Sequence, residues 1–282
     1  MNSIAASGGT APSADAAAAS PMRSRVLSAL VLAPAAFACL WYGTPWFELL
    51  VAAATLAMAW EWRRICAAGA FGAPGIALIL TVAGAIVLTG FGRVPAALGV
   101  VAVGAAVTAA LARGERGVGW SALGAVAVGM PAIAFVWLRG DDERLDLVLW
   151  LLVAVSLTDI AAFFVGRAIG GPRLAPVISP KKTWAGLLGG MAAAALWTVV
   201  FGLWIGWAGP LRLALLGAGL AVVAQLGDLS VSVVKRHFGV KDASHLIPGH
   251  GGMLDRADGY VLAAPVIGLL VAFGNHGVAP WS

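Results

Sequence analysis

Apolar positions run almost without interruption from residue 26 to residue 275, and polar residues gather in short clusters between the runs. The runs fall near 26–42, 45–60, 73–92, 94–112, 119–138, 146–166, 185–207, 211–230 and 259–275. Most approach the roughly 20 residues that carry a helix across a bilayer, and the shorter ones fit a tilted or half-buried helix. The pattern therefore predicts an all-α, polytopic integral membrane protein with about nine transmembrane helices. Residues 1–22, rich in Ala, Ser, Gly and Pro and poor in charge, read as a disordered cytoplasmic tail. A cleaved signal peptide is the competing reading, and the Arg23 and Arg25 pair directly before the first run speaks against it. The remainder divides into N-terminal transmembrane helices, 23–140, and a C-terminal transmembrane region, 141–282, that holds the densest polar clusters and is the candidate catalytic part.

Composition sharpens this picture. Hydrophobic residues make up 61% of the chain and charged residues 11%, with a mean hydropathy of +0.92. A soluble domain carries about 45–50% apolar and about 25% charged residues, so a large soluble core is excluded. With nine spans and the N-terminus inside, 14 of the 18 Lys and Arg fall on the cytoplasmic side and 4 (Arg93, Arg139, Arg144 and Arg212) on the other. This asymmetry predicts a multi-pass protein of the inner membrane with its polar clusters facing the cytoplasm. It also accounts for the net charge of +5 without nucleic acid as a partner. Cys39 and Cys66 lie in or beside apolar runs at no metal-like spacing and read as packing residues. The first half carries helix punctuation and small residues such as Gly84, Gly104, Gly124 and Gly129, which suit close helix packing in lipid. No chemistry is legible there.

The chemistry gathers between Ser232 and Asp258, SVVKRHFGVKDASHLIPGHGGMLDRAD. Lys235, Arg236, Lys241 and Arg256 can neutralise phosphate oxygens, and Asp228, Asp242, Asp255 and Asp258 can hold cations. Gly249, Gly251 and Gly252 let backbone approach a ligand. Carboxylates and cations together imply a metal-bridged polyanion. If the eighth run continues as a helix past the membrane surface, Gln225, Asp228, Ser232 and Lys235 share one face, which must then turn toward protein or water. The bland alternative is an interfacial salt bridge from Asp228 to Lys235 or Arg236. Asp255 and Asp258, spaced i, i+3, suit a divalent ion beside the glycine run, with helix capping as the alternative. Asp159 lies inside the sixth run, where a carboxylate is costly and so a functional candidate; pairing with a base on another span is the alternative. His250 suits a phosphate or the glycine turn, while His237 and His276 read as interfacial bystanders.

The pattern S-x-x-K-R-x4-K-D, then P-G-H-G-G, then D-R-x-D resembles the signature of the phosphatidate cytidylyltransferases, or CDP-diacylglycerol synthases. The resemblance extends in matched order to TDIAAFFVGR (158–167), ISPKKTWAG (178–186) and AQLGDLSVS (224–232), roughly the C-terminal half. It implies a magnesium-dependent nucleotidyltransferase of phospholipid biosynthesis that condenses CTP with phosphatidic acid, with room for a second cation. It further implies metal binding at Asp159, Asp228, Asp255 and Asp258, and catalysis by Asp228, Ser232, Lys235 and Asp255. Substrate would contact Lys181, Lys182, Arg236, Lys241, His250, Gly251, Gly252 and Arg256, and the bilayer and a second copy of the chain would be partners. Ala185 and Ala257 depart from the pattern, where a Glu and a larger apolar residue are usual. A CTP-dependent polyprenol or lipid kinase is the rival enzyme, and an ion-coupled transporter the rival of a different class.

Overall fold

The computed structural model describes residues 30–115, 117–140, 145–207, 209–247 and 251–274. The tail at 1–22, together with Gly249, His250 and His276, therefore lies outside the described residues. Among the described residues ten helices follow one another: α1 (Leu30–Tyr42), α2 (Trp46–Cys66), α3 (Gly72–Gly90), α4 (Val94–Leu111), α5 (Val118–Arg139), α6 (Leu145–Ile169), α7 (Trp184–Trp204), α8 (Pro210–His237), the single turn α9 (Leu254–Ala257) and α10 (Tyr260–Phe273). A two-stranded hairpin, β1 (Arg173–Ala175) and β2 (Ser179–Thr183), interrupts them. The protein is thus an all-α, polytopic membrane protein.

Among the described residues, α3 to α8 are the six helices long and apolar enough to cross a membrane by length and composition. α2 is 21 residues long, but Glu48, Glu61, Arg63 and Arg64 lower its hydropathy; α1 and α10 are shorter. Each of the nine apolar runs coincides with a helix, whereas six have the length and composition of a full span.

α6, α7 and α8 pack side by side, α2 to α5 form a second group, and α10 lies against α5 and α8. Apolar faces alone drive no association in lipid, so close backbone approach matters. A Cβ on Gly186 would lie 2.7 Å from the Ala162 carbonyl oxygen, and one on Gly190 2.9 Å from that of Thr158, which lets α7 sit directly on α6. In the first half, Gly104 meets Thr81, Gly124 meets the Trp62 ring and Gly129 meets Val101 at similarly short range, while Gly84 has ordinary contact with Val100. Arg63, almost fully buried, joins the end of α2 to the start of α5: its guanidinium donates to both Glu115 oxygens (2.6 and 2.7 Å) and to Ser121 Oγ (3.0 Å).

Two local features place the site. α8 spans 28 residues, about 42 Å at the helical rise, against a hydrocarbon core of about 30 Å. Its length therefore leaves room for the last turns, carrying Lys235 and Arg236, to extend beyond the hydrocarbon. The basic stretch before α7, Ser179-Pro180-Lys181-Lys182-Thr183, forms strand β2, paired antiparallel with β1 at Arg173↔Thr183 and Ala175↔Ser179. Thr183 ends the strand and caps α7, its Oγ1 accepting from Gly186 N at 3.1 Å, so the hairpin is fixed to the helix and Lys182 is held in place.

Candidate active site

The polar stripe on α8 is present, and its members reach α6, β2 and α9. Lys182 Nζ from β2 donates to Gln225 Oε1 (2.8 Å) and pairs with Asp228 Oδ2 (2.5 Å). Gln225 Nε2 in turn donates to Asp159 Oδ1 on α6 at 3.1 Å, and Ser232 Oγ donates to Asp228 Oδ1 at 3.1 Å. One hydrogen-bonded chain, Asp159–Gln225–Lys182–Asp228–Ser232, so links α6, α8 and β2. Of the two bases offered by the bland reading, neither pairs with Asp228; the base that does is Lys182 from the hairpin.

Further along the stripe, Lys235 Nζ pairs with Asp255 Oδ1 at 2.6 Å, with both side chains nearly buried. The other Asp255 oxygen accepts from Ala243 N (2.8 Å) and Gly252 N (3.2 Å). Asp255 thereby ties α8 to both ends of the signature loop. Asp258 stands between α9 and α10, its Oδ1 accepting from Gly259 N at 2.9 Å. Loss of solvation, then the nearby Asp228 carboxylate, pushes the Asp258 carboxyl well above the ordinary carboxylate range. α8 can approach this junction because a Cβ on Gly227 would fall 2.7 Å from the Asp258 carbonyl oxygen.

A residue of the first half completes the arrangement. Glu61 on α2 is fully buried, and one of its oxygens accepts from Ser244 Oγ (2.5 Å) and Met253 N (2.9 Å), the other from Leu254 N (2.6 Å). It thus satisfies two backbone donors at the start of α9, the turn that carries Asp255. Gly252 is needed beside it, since a Cβ there would lie 2.8 Å from Glu61 Oε1. The N-terminal half is therefore not chemically silent. A carboxylate at the polar end of an apolar helix was the available signal, and it stood beside Arg63 and Arg64, where it reads as an ordinary interfacial charge.

The remaining sequence candidates sit at the margin. Arg236 donates to the Ile178 carbonyl (3.2 Å) and the Val240 carbonyl (3.0 Å), turned from the stripe toward the hairpin. Lys181 is exposed on β2, Lys241, Asp242 and Arg256 are exposed around the loop, and Gly251 takes a left-handed conformation at φ +85° beside Ile247. His237 stacks near Trp120 with ring centroids 5.2 Å apart. Among the described residues no three His, Cys, Asp or Glu side chains form a ready-made metal cluster.

Fold and site together define a polytopic membrane protein with a polar cluster in which lysines and carboxylates from α6, β2, α8 and α9 converge. The chain belongs to the cytidylyltransferase family, whose pattern it matches over residues 23–273. It is 40% identical over 271 residues to the phosphatidate cytidylyltransferase of Brucella suis, covering 90% of this chain and 94% of that protein. The phosphatidate cytidylyltransferase of Pseudomonas aeruginosa is 37% identical over 266 residues, covering 89% and 97%. That of Bacillus subtilis is 38% identical over 157 residues, covering 55% and 58%.

Proposed function

We propose that the protein condenses CTP with phosphatidic acid to give CDP-diacylglycerol and pyrophosphate. The convergence of Lys182, Asp228, Lys235, Asp255 and Asp258 toward the C-terminal end of α8 carries this reading, beside the family membership. A phosphate monoester is substantially ionised near neutral pH, so its oxygen can attack the α-phosphorus of CTP without a strong base. The new bond joins that oxygen to the α-phosphorus; the bond from the α-phosphorus to the oxygen bridging it to the β-phosphorus breaks, and pyrophosphate departs with the electron pair. Lys182 and Lys235 supply positive charge where negative charge builds on the phosphoryl oxygens, and Ser232 holds Asp228 in place through its hydroxyl.

Asp159, Asp228 and Asp258 present hard carboxylate oxygens whose charges act on one another, and burial followed by the neighbouring Asp228 carboxylate raises the Asp258 carboxyl above its ordinary range, a repulsion that a divalent cation such as magnesium would relieve. A cation held there would neutralise the phosphates and the leaving pyrophosphate. Asp255, with both oxygens already bonded, contributes mainly by fixing the loop and Lys235. The cation asymmetry supports nine crossings in the inner membrane, with this site toward the cytoplasm, where CTP is available.

The test is product identity. Purified protein in detergent, given CTP, phosphatidic acid and magnesium, is expected to yield CDP-diacylglycerol by mass spectrometry, with loss of product on chelation. A lipid product carrying added phosphate but no cytidine would favour the kinase reading, and absence of any CTP-dependent product would refute both enzymes.

A further inference from the structure

Beside the polar site lies a cavity of about 700 Å³, walled by α1, α2, α5 and α6 through side chains such as Phe37, Leu50, Ala54, Phe135, Leu152 and Ile160. No charged residue lines it. Thr55 on its wall spends its hydroxyl on the Val51 carbonyl at 2.7 Å, so that surface also behaves as apolar. Polar atoms meet the cavity at one end, where Ser156 Oγ and the Tyr260 hydroxyl stand 3.3 Å apart and the hydroxyl donates to the Leu152 carbonyl at 2.9 Å.

That end adjoins the carboxylates. Ser156 and Asp159 are one turn apart on α6, and the lining residues Ala257 and Tyr260 flank Asp258. From Phe47 to Met58 along α2 the wall runs about 16 Å at the helical rise, close to the roughly 15 Å depth of one leaflet of hydrocarbon. The cavity is therefore a leaflet-deep apolar slot, part of whose wall borders the candidate carboxylates.

We propose that this slot holds one acyl chain of the lipid substrate, so that α1 and α2, which supply none of the candidate phosphate-binding groups, set the depth and chain preference of the reaction. The inference rests on the proposed function, because the chain must be tethered to a phosphate at the carboxylate site. Seating the chain there aims the glycerol phosphate toward Lys182 and Asp228, while the outer face of α6, with Phe163 and Phe164 exposed, is left to bulk lipid.

The test narrows the slot from two walls. Ala54→Phe and Ala36→Phe are expected to raise the KM for dipalmitoyl phosphatidic acid about tenfold relative to that for dihexanoyl phosphatidic acid in mixed micelles, the scale on which a misfitted apolar pocket discriminates. Turnover of the short lipid reports that each variant is folded. Equal effects on the two lipids, or none, would overturn the slot. A second measurement does not depend on activity: phosphatidic acid with a diazirine on the distal half of one chain is expected to label residues between Leu40 and Val51 in the wild-type protein. Labelling confined to the outer face of α6, or equal labelling by a diazirine phosphatidylcholine, would also overturn it. Failure of wild-type protein to form CDP-diacylglycerol would instead remove the proposed function, while the labelling would still read the slot.

Discussion

Glu61→Gln isolates the coupling between the N-terminal helices and the signature loop. The glutamate accepts from three donors and is fully buried, so no solvent replaces what is lost. A glutamine keeps one acceptor end. Its other end becomes an NH2 group facing a backbone N–H, of Leu254 in one orientation and of Met253 in the other. A hydrogen bond to a charged group contributes about 1.5–3 kcal/mol, and an unsatisfied buried donor costs a similar amount. Taking about 2 kcal/mol as the net loss, the equilibrium between closed and open loop shifts about 30-fold. Glu61→Ala forfeits all three bonds and is expected to cost about 4 kcal/mol. Hydrogen exchange of the amides from Gly251 to Asp258 reads this directly, with exchange about 30-fold faster expected in the glutamine variant and turnover reduced as Asp255 loosens. Wild-type protection of Met253 and Leu254 in Glu61→Gln would refute the reasoning, because it would mean that the buried carboxylate does not hold the loop.

Asp228→Asn is expected to abolish most turnover while leaving membrane insertion and thermal unfolding near wild type, because it removes the charge that faces Lys182 and keeps the side-chain size; unchanged kcat at saturating magnesium would remove Asp228 from the site. Lys235→Ala leaves the nearly buried Asp255 carboxylate without its cation, and breaking such a pair costs about 3–5 kcal/mol. Its thermal stability is therefore expected to fall well below that of Arg236→Ala, and Lys235→Ala with Asp255→Asn to destabilise less than the sum of the two; strict additivity would show that the pair is not coupled. Cysteine labelling is expected to place positions 181 and 250 on the cytoplasmic side and position 282 on the other; finding 250 and 282 on one side would refute nine crossings without touching the enzyme reading.

The helices were legible because lipid imposes one pattern, a long apolar run that satisfies its own backbone. The α8 stripe was legible for a related reason: Gln225, Asp228, Ser232 and Lys235 recur at helical spacing in an otherwise apolar helix, and all four are bonded along one face. Partners were harder to read, because they depend on which elements meet. That Asp228 would face Lys182 of a hairpin, and Lys235 would face Asp255, follows from packing between segments 20 to 46 positions apart. Strand β2 was hidden by its composition, since Ser179-Pro180-Lys181-Lys182-Thr183 has a loop's residues and is held extended by pairing with β1. Glu61 was hidden for another reason. Its partners are backbone N–H groups 192 and 193 positions away, and a backbone donor leaves no mark in the sequence.

The position of a radiolabel decides the central claim. With purified protein and phosphatidic acid, CTP labelled at the α-phosphate is expected to transfer its label into the lipid product, while CTP labelled at the γ-phosphate is expected to release all label as pyrophosphate. Label from the γ-phosphate appearing in the lipid, with none from the α-phosphate, would contradict the account.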